Sequence, residues 1–231
     1  MTHAHPSSWY RSAVALVAGF ATVAALGLPT ASFAKKSKKK KAKHVQLTGV
    51  KSLDKVFKPL KKLDQSLTKA QKARRKGKAS INTALGLKQG TSMNAAMAHL
   101  KKEAAGKVKI TMTGGKPQLK ASDALPPDIK AGVEATNVVL SSYFTASKEL
   151  AKAPKQAAKL VKQAKKLPDQ LKSELTSNPT QAISIVRNLG VVKDNIKIAS
   201  EIPKRATKVT KNLNKDLKIM VTAFGGKWPP I

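Results

Sequence analysis

Apolar residues step along most of this chain by threes and fours, with lysines filling the positions between them. That spacing gathers apolar side chains on one side of a helix and charges on the other, so the chain must fold as amphipathic helices packed stripe against stripe. Leu53, Phe57, Leu60, Leu63, Leu67 and Ala70 form the first stripe. It predicts a helix over 50–76, interrupted at Pro59, where a backbone donor is missing, and stopped at Gly77. Met93, Met97, Leu100 and Ala104 form a second stripe in a helical stretch over 80–105, weakened by Gly86 and Gly90 and capped by Gly106. The fold class is therefore mainly all-α: an elongated helical bundle or antiparallel coiled coil.

One segment changes period. Val108, Ile110 and Met112 alternate with Lys107, Lys109, Thr111 and Thr113, and Gly114-Gly115 follows. Period two with a glycine pair predicts one small β-hairpin around 107–121. A lone hairpin is marginal in water, so it must lie on helices.

Beyond Leu125 the chain repeats. Pro154-Lys-Gln-Ala-Ala-Lys-Leu-Val-Lys162 matches Pro203-Lys-Arg-Ala-Thr-Lys-Val-Thr-Lys211 at an offset of 49, a whole number of heptads. The preceding stripe keeps phase under the same shift: Thr136, Leu140, Tyr143, Ser147 and Leu150 correspond to Ile185, Leu189, Val192, Ile196 and Ala199. The expectation is two similar long helices, each broken or kinked at its proline. Asn178-Pro179 reads as a helix start, with proline in the first turn. Gly225-Gly226 reads as the end of the last helix, which uninterrupted from residue 181 would be about 66 Å long.

The leader has its own pattern. Residues 12–28 carry no charge, Arg11 precedes them, and Pro29 and Ala31-Ser32-Phe33-Ala34 follow. This predicts a signal peptide over 1–34, cleaved at Ala34–Lys35, and a periplasmic or secreted protein. The alternative is an uncleaved membrane anchor, which the lysines that follow at once would hold with the chain in the cytoplasm. The remaining segments are a disordered Lys-rich tail over 35–47, a basic helical hairpin over 48–106, a linker or β-hairpin over 107–124, the repeated helical region over 125–224 and an extended tail over 225–231. With no cysteine, no disulfide framework contributes.

Charge sets the sign of the partners. Lys and Arg number 45 against 12 Asp and Glu, a formal net charge of +33. Residues 35–78 hold 18 of those basic residues and only 2 acids. A surplus this large attracts polyanions or anionic surfaces. The candidate contact residues are the run Lys35, Lys36, Lys38, Lys39, Lys40, Lys41 and Lys43, and the cluster Lys69, Lys72, Arg74, Arg75, Lys76 and Lys78. Lysines outnumber arginines 40 to 5 and aromatics make up 4% of residues. Contacts should therefore be salt-sensitive and sequence-blind, without a base-stacking platform.

Nothing points to catalysis, a cofactor, a metal or a small-molecule substrate. His44 and His99 stand apart, and the acids are scattered. Ser-x-x-Lys occurs at Ser32, Ser37, Ser52 and Ser66, as often as chance allows in a chain so rich in lysine, and without the partner motifs of amide hydrolases. The leading expectation is an exported, non-enzymatic helical binding or scaffold protein that contacts lipid phosphate, wall polymer or nucleic acid, with self-association possible through its heptad seams. One alternative is a membrane-active protein whose stretch Ile183 to Ile202 lies on bilayers. Another is a membrane-anchored cytoplasmic DNA-binding protein. The composition of Lys152-Ala-Pro-Lys-Gln-Ala-Ala-Lys159 resembles the tails of linker histones, which implies DNA contact; export would dismiss it.

Overall fold

The first stripe makes a longer helix than its proline and glycine suggest. In the computed structural model, which describes residues 44–121, 125–177 and 179–228, α1 runs unbroken over Lys51–Ala84. The expected break at Pro59 is absent. Pro59 faces solvent, while Phe57 and Leu60 beside it are wholly buried, and that packing outweighs one lost hydrogen bond. The expected stop at Gly77 is absent too. Its backbone is pressed against the next long helix, where a Cβ would sit 2.8 Å from Tyr143 Oη and 3.0 Å from Val139 Cγ2. Gly77 is thus a point of close approach between helices, not a terminus.

The other elements follow in order: α2 (Met93–Glu103), β1 (Val108–Thr113), β2 (Lys116–Ala121), α3 (Pro127–Leu150), α4 (Ala153–Ser177) and α5 (Pro179–Ala223). The fold is mainly α with one small β-hairpin. Its described residues fall within one unit, Lys43–Ile231. The stretch expected as one helix over 80–105 is divided. α1 ends at Ala84, Gly86 and Gly90 take positive φ of 64° and 94°, and Ser92 caps α2 by accepting from Ala95 N at 3.2 Å. The hairpin forms as the alternation predicts, pairing Val108 with Ala121 through to Thr113 with Lys116. Gly114 and Gly115 turn it at φ 57° and 72°, values open to glycine at little cost.

Helix directions follow from cross-helix hydrogen bonds. Gln46 pairs with Asn195, Asp64 with Arg205 and Arg74 with Asp216, so α1 and α5 run parallel. Ser147 donates to Asn214, and Thr210 Oγ1 to the Leu150 carbonyl, so α3 and α5 run antiparallel. Tyr143 meets Arg74, which sets α1 against α3. The core between these three helices holds Phe57, Leu60, Leu67, Leu140, Tyr143, Leu213 and Leu217, none more than 0% exposed. The β-hairpin lies on α3, where Asn137 bonds both backbone groups of Leu119, accepting from its N at 2.7 Å and donating to its O at 2.9 Å. Trp228 meets Phe144 edge-on at 6.4 Å, so the residues after α5 are packed rather than free as far as 228.

The two proline motifs behave differently. α3 ends at Leu150 and α4 begins at Ala153, so the chain breaks before Pro154 as expected. α5 continues through Pro203 for 45 residues, so the second unit is not proline-broken. The tail expected to be disordered to 47 is packed at its end: Val45 is 1% exposed, and Gln46 exchanges two hydrogen bonds with Asn195, at 2.9 and 2.7 Å. The leader over 1–34 and the lysines from Lys35 to Lys43 lie outside the described residues.

Candidate polyanion-binding groove

Two buried aspartates organise the α1–α5 contact. Asp64 is 0% exposed and Asp216 is 2% exposed. A buried carboxylate needs a charged partner or several donors, and each has an arginine from the facing helix. Arg74 of α1 grips Asp216 of α5 with both edges of its fork, Nε to Oδ2 at 2.6 Å and Nη2 to Oδ1 at 3.1 Å. Arg205 of α5 grips Asp64 of α1 through Nη1, and its Nη2 donates to the Asp64 carbonyl at 3.2 Å and to Thr68 Oγ1 at 2.5 Å. His44 Nδ1 lies 2.8 Å from the other Asp64 oxygen. The two clamps are reciprocal, one acid and one arginine on each helix, about 15 Å apart along α1 from the rise per residue.

Between the clamps lies a groove of about 640 Å³, lined by Gln71, Arg74 and Arg75 from α1 and by Glu201, Lys204, Arg205, Lys208, Val209 and Asn212 from α5. Arg75, Lys204 and Lys208 are exposed and make no ion pair among the described residues. Lys204 and Lys208 stand one turn apart, about 6 Å along the helix. The arginines are three-quarters covered, with 28% of the Arg74 side chain and 26% of Arg205 open, and their remaining N–H groups are held in place by the clamps. The lining has five cations and one acid, Glu201. Coulomb attraction for an anion is stronger in such a concave wall than over an open surface.

Below the groove, Tyr143 donates to the Arg74 carbonyl at 2.5 Å and so braces the helix turn that carries Arg74 and Arg75. Burial, with the Asp216 charge adding to it and Arg74 opposing, pushes the Tyr143 phenol well above its ordinary pKa. It stays neutral and donates throughout the physiological range.

The expected contact cluster on α1 is divided by this geometry. Arg75 is exposed in the groove, Arg74 turns inward to Asp216 and shows only part of its fork, and Lys69, Lys72 and Lys76 are exposed outside it. Lys78 is half-buried. Lys35, Lys36, Lys38, Lys39, Lys40, Lys41 and Lys43 fall outside the described residues. The α5 contribution, Lys204, Arg205 and Lys208, was hidden in plain view: these residues belong to the second copy of the repeated motif. Their 4-residue spacing was legible, but the facing Arg75 could be supplied only by the parallel packing of α1 and α5. Among the described residues no group of three or more His, Cys, Asp or Glu could hold a metal ion, and no helix is long and apolar enough to cross a membrane.

No protein-family model, no curated protein and no solved structure matches this chain.

Proposed function

We infer that this is an exported, non-enzymatic helical protein that binds anionic polymers or surfaces. The observation that supports this best is the α1–α5 groove, where five cations from two helices line one hollow and two of them are fixed by buried aspartates. The net charge of +33 supplies long-range attraction, and the groove supplies a place for the anion to sit. The leader-like residues 1–34 support export.

The reading predicts binding of the mature protein to heparin or an anionic oligomer that weakens log-linearly with salt. Titration by fluorescence anisotropy at several salt concentrations tests it. Absence of binding at low ionic strength would remove the reading.

A second reading draws on a different region. Ile183, Val186 and Leu189 are 64%, 56% and 36% exposed, spaced by three near the start of α5. An uncovered apolar face on a cationic helix suits the surface of an anionic bilayer. Sedimentation with anionic vesicles, comparing wild type with Ile183→Ser/Val186→Ser, tests it: equal binding by the two would set this face aside.

A further inference from the structure

We propose that the α1–α5 groove takes a phosphodiester-linked polyol chain, recognised through both its phosphates and its free hydroxyls. This rests on the polyanion reading above and names the chemistry that the groove selects. The lining is not uniformly positive. Along α5 the polar residues facing the groove run Glu201, Lys204, Arg205, Lys208 and Asn212, beside the apolar Val209, a single helical stripe at steps of three, one, three and four. Cations fill its middle, and an acid and an amide stand at its two ends. Gln71, a second amide, faces them from α1.

Each part has a chemical counterpart. The N–H groups of Arg74 and Arg205 that the clamps leave over can each donate to a phosphate oxygen, and the clamping to Asp216 and Asp64 removes much of the ordering cost that a free side chain would meet on binding. Lys204, Lys208 and Arg75 add charge without fixed geometry. Glu201 is exposed and makes no ion pair among the described residues, although it stands three and four residues from Lys204 and Arg205. Against a chain carrying only phosphates, Glu201 is a repulsive group. Against a chain that also carries hydroxyls, it is an acceptor for a charge-assisted hydrogen bond, and Gln71 and Asn212 add neutral partners. No aromatic side chain lines the groove, so nothing there stacks on a nucleobase. A deoxynucleotide strand presents phosphates but no backbone hydroxyl, and it gains from the cations alone.

The sign of the Glu201 effect separates the two classes. Two labelled probes of equal phosphate number, a glycerol-phosphate oligomer and an oligo-dT, are titrated against the mature protein at one low salt concentration. Wild type should bind the glycerol-phosphate oligomer more tightly. Glu201→Ala should weaken that probe by about tenfold, the worth of one hydrogen bond to a charged group, and tighten oligo-dT by relieving repulsion. Arg75→Ala/Lys204→Ala/Lys208→Ala should weaken both probes by more than about tenfold, while Lys69→Ala/Lys72→Ala/Lys76→Ala, with the same charge removed outside the groove, should cost less than about threefold. All substituted residues are exposed, and thermal unfolding confirms that each variant is folded. If Glu201→Ala tightens both probes, or if wild type binds oligo-dT as well as the polyol chain, the groove is a plain cation cluster and the proposal fails while the polyanion reading stands. Equal losses in the two triple variants overturn the groove as the site. If wild type binds neither probe, the polyanion reading itself falls.

Discussion

Pro154 and Pro203 stand at the same place in two near-copies of one nine-residue motif, yet the chain breaks before the first and α5 continues through the second. Both prolines lack the N–H that would bond the carbonyl four residues back. At Pro154 that carbonyl belongs to Leu150, and Thr210 Oγ1 of α5 donates to it at a long 3.4 Å. At Pro203 it belongs to Ala199, and the helix holds because its neighbours are held. Ala199, Ile202 and Ala206 are at most 1% exposed, and Arg205 is locked onto Asp64 of α1. The residue that corresponds to Arg205 in the first copy is Gln156, which is exposed. A local motif sets a tendency to break, and the contacts around it, apolar packing together with the Arg205–Asp64 clamp, decide the outcome.

The largest test of this contrast gives the second copy the residue of the first. Arg205→Gln leaves the buried Asp64 with His44 alone and should cost about 3–5 kcal/mol, the usual loss when one partner of a buried ion pair is removed. Urea unfolding measures it, and hydrogen exchange should show the loss of protection centred on Pro203. A cost under about 1 kcal/mol would mean that apolar packing alone carries α5 through its proline.

Restoring the missing donor comes next. Pro203→Ala should raise stability by about 2–3 kcal/mol, because the helix there already has the geometry alanine prefers. Pro154→Ala should change it by less than about 1 kcal/mol, since proline in a first turn lacks a donor that has no helical partner anyway. Equal gains at the two sites would erase the distinction between them.

The stripes ahead of the prolines differ as well. Tyr143 corresponds to Val192 in the 49-residue register, and both are buried, but Tyr143 adds a hydrogen bond to Arg74. Tyr143→Phe should cost about 1 kcal/mol near neutral pH. The folded state holds this phenol neutral above its ordinary pKa of 10.0, so the unfolded chain ionises first. The tyrosine's contribution is full below that pH and declines as pH rises past it. The gap between wild type and Tyr143→Phe should therefore narrow in unfolding measurements above pH 10. The smallest effect is the reverse graft, Gln156→Arg, which changes an exposed position and should stay within about 0.5 kcal/mol.

Much of this fold was legible in the chain itself. The stripe from Leu53 to Ala70, the alternation from Val108 to Thr113 and the helix start at Pro179 each follow from local pattern, because period and turn chemistry are local properties. What was not legible depends on partners distant in sequence. Gly77 has the composition of a helix stop, and only the approach of Tyr143 and Val139 makes it a contact. Val45 and Gln46 read as the end of a basic tail, and only Asn195 makes them ordered. Arg74 and Arg75 are adjacent and alike, and only the position of Asp216 sends one inward and leaves the other in the groove. The candidate site was half visible for the same reason: the charge of α1 is written in one run, whereas its counterpart on α5 is spread along a repeat and becomes a wall only when the two helices lie parallel.

The central claim is that anions settle between α1 and α5 and not over the lysine surface at large. Titrating a glycerol-phosphate oligomer into isotopically labelled protein without residues 1–34, with backbone amide shifts read residue by residue, tests it most directly. The account predicts shifts concentrated over residues 71–75 and 201–212, saturating together. Shifts spread evenly along the lysines of α3 and α4, with the groove no more affected than the rest, would contradict it.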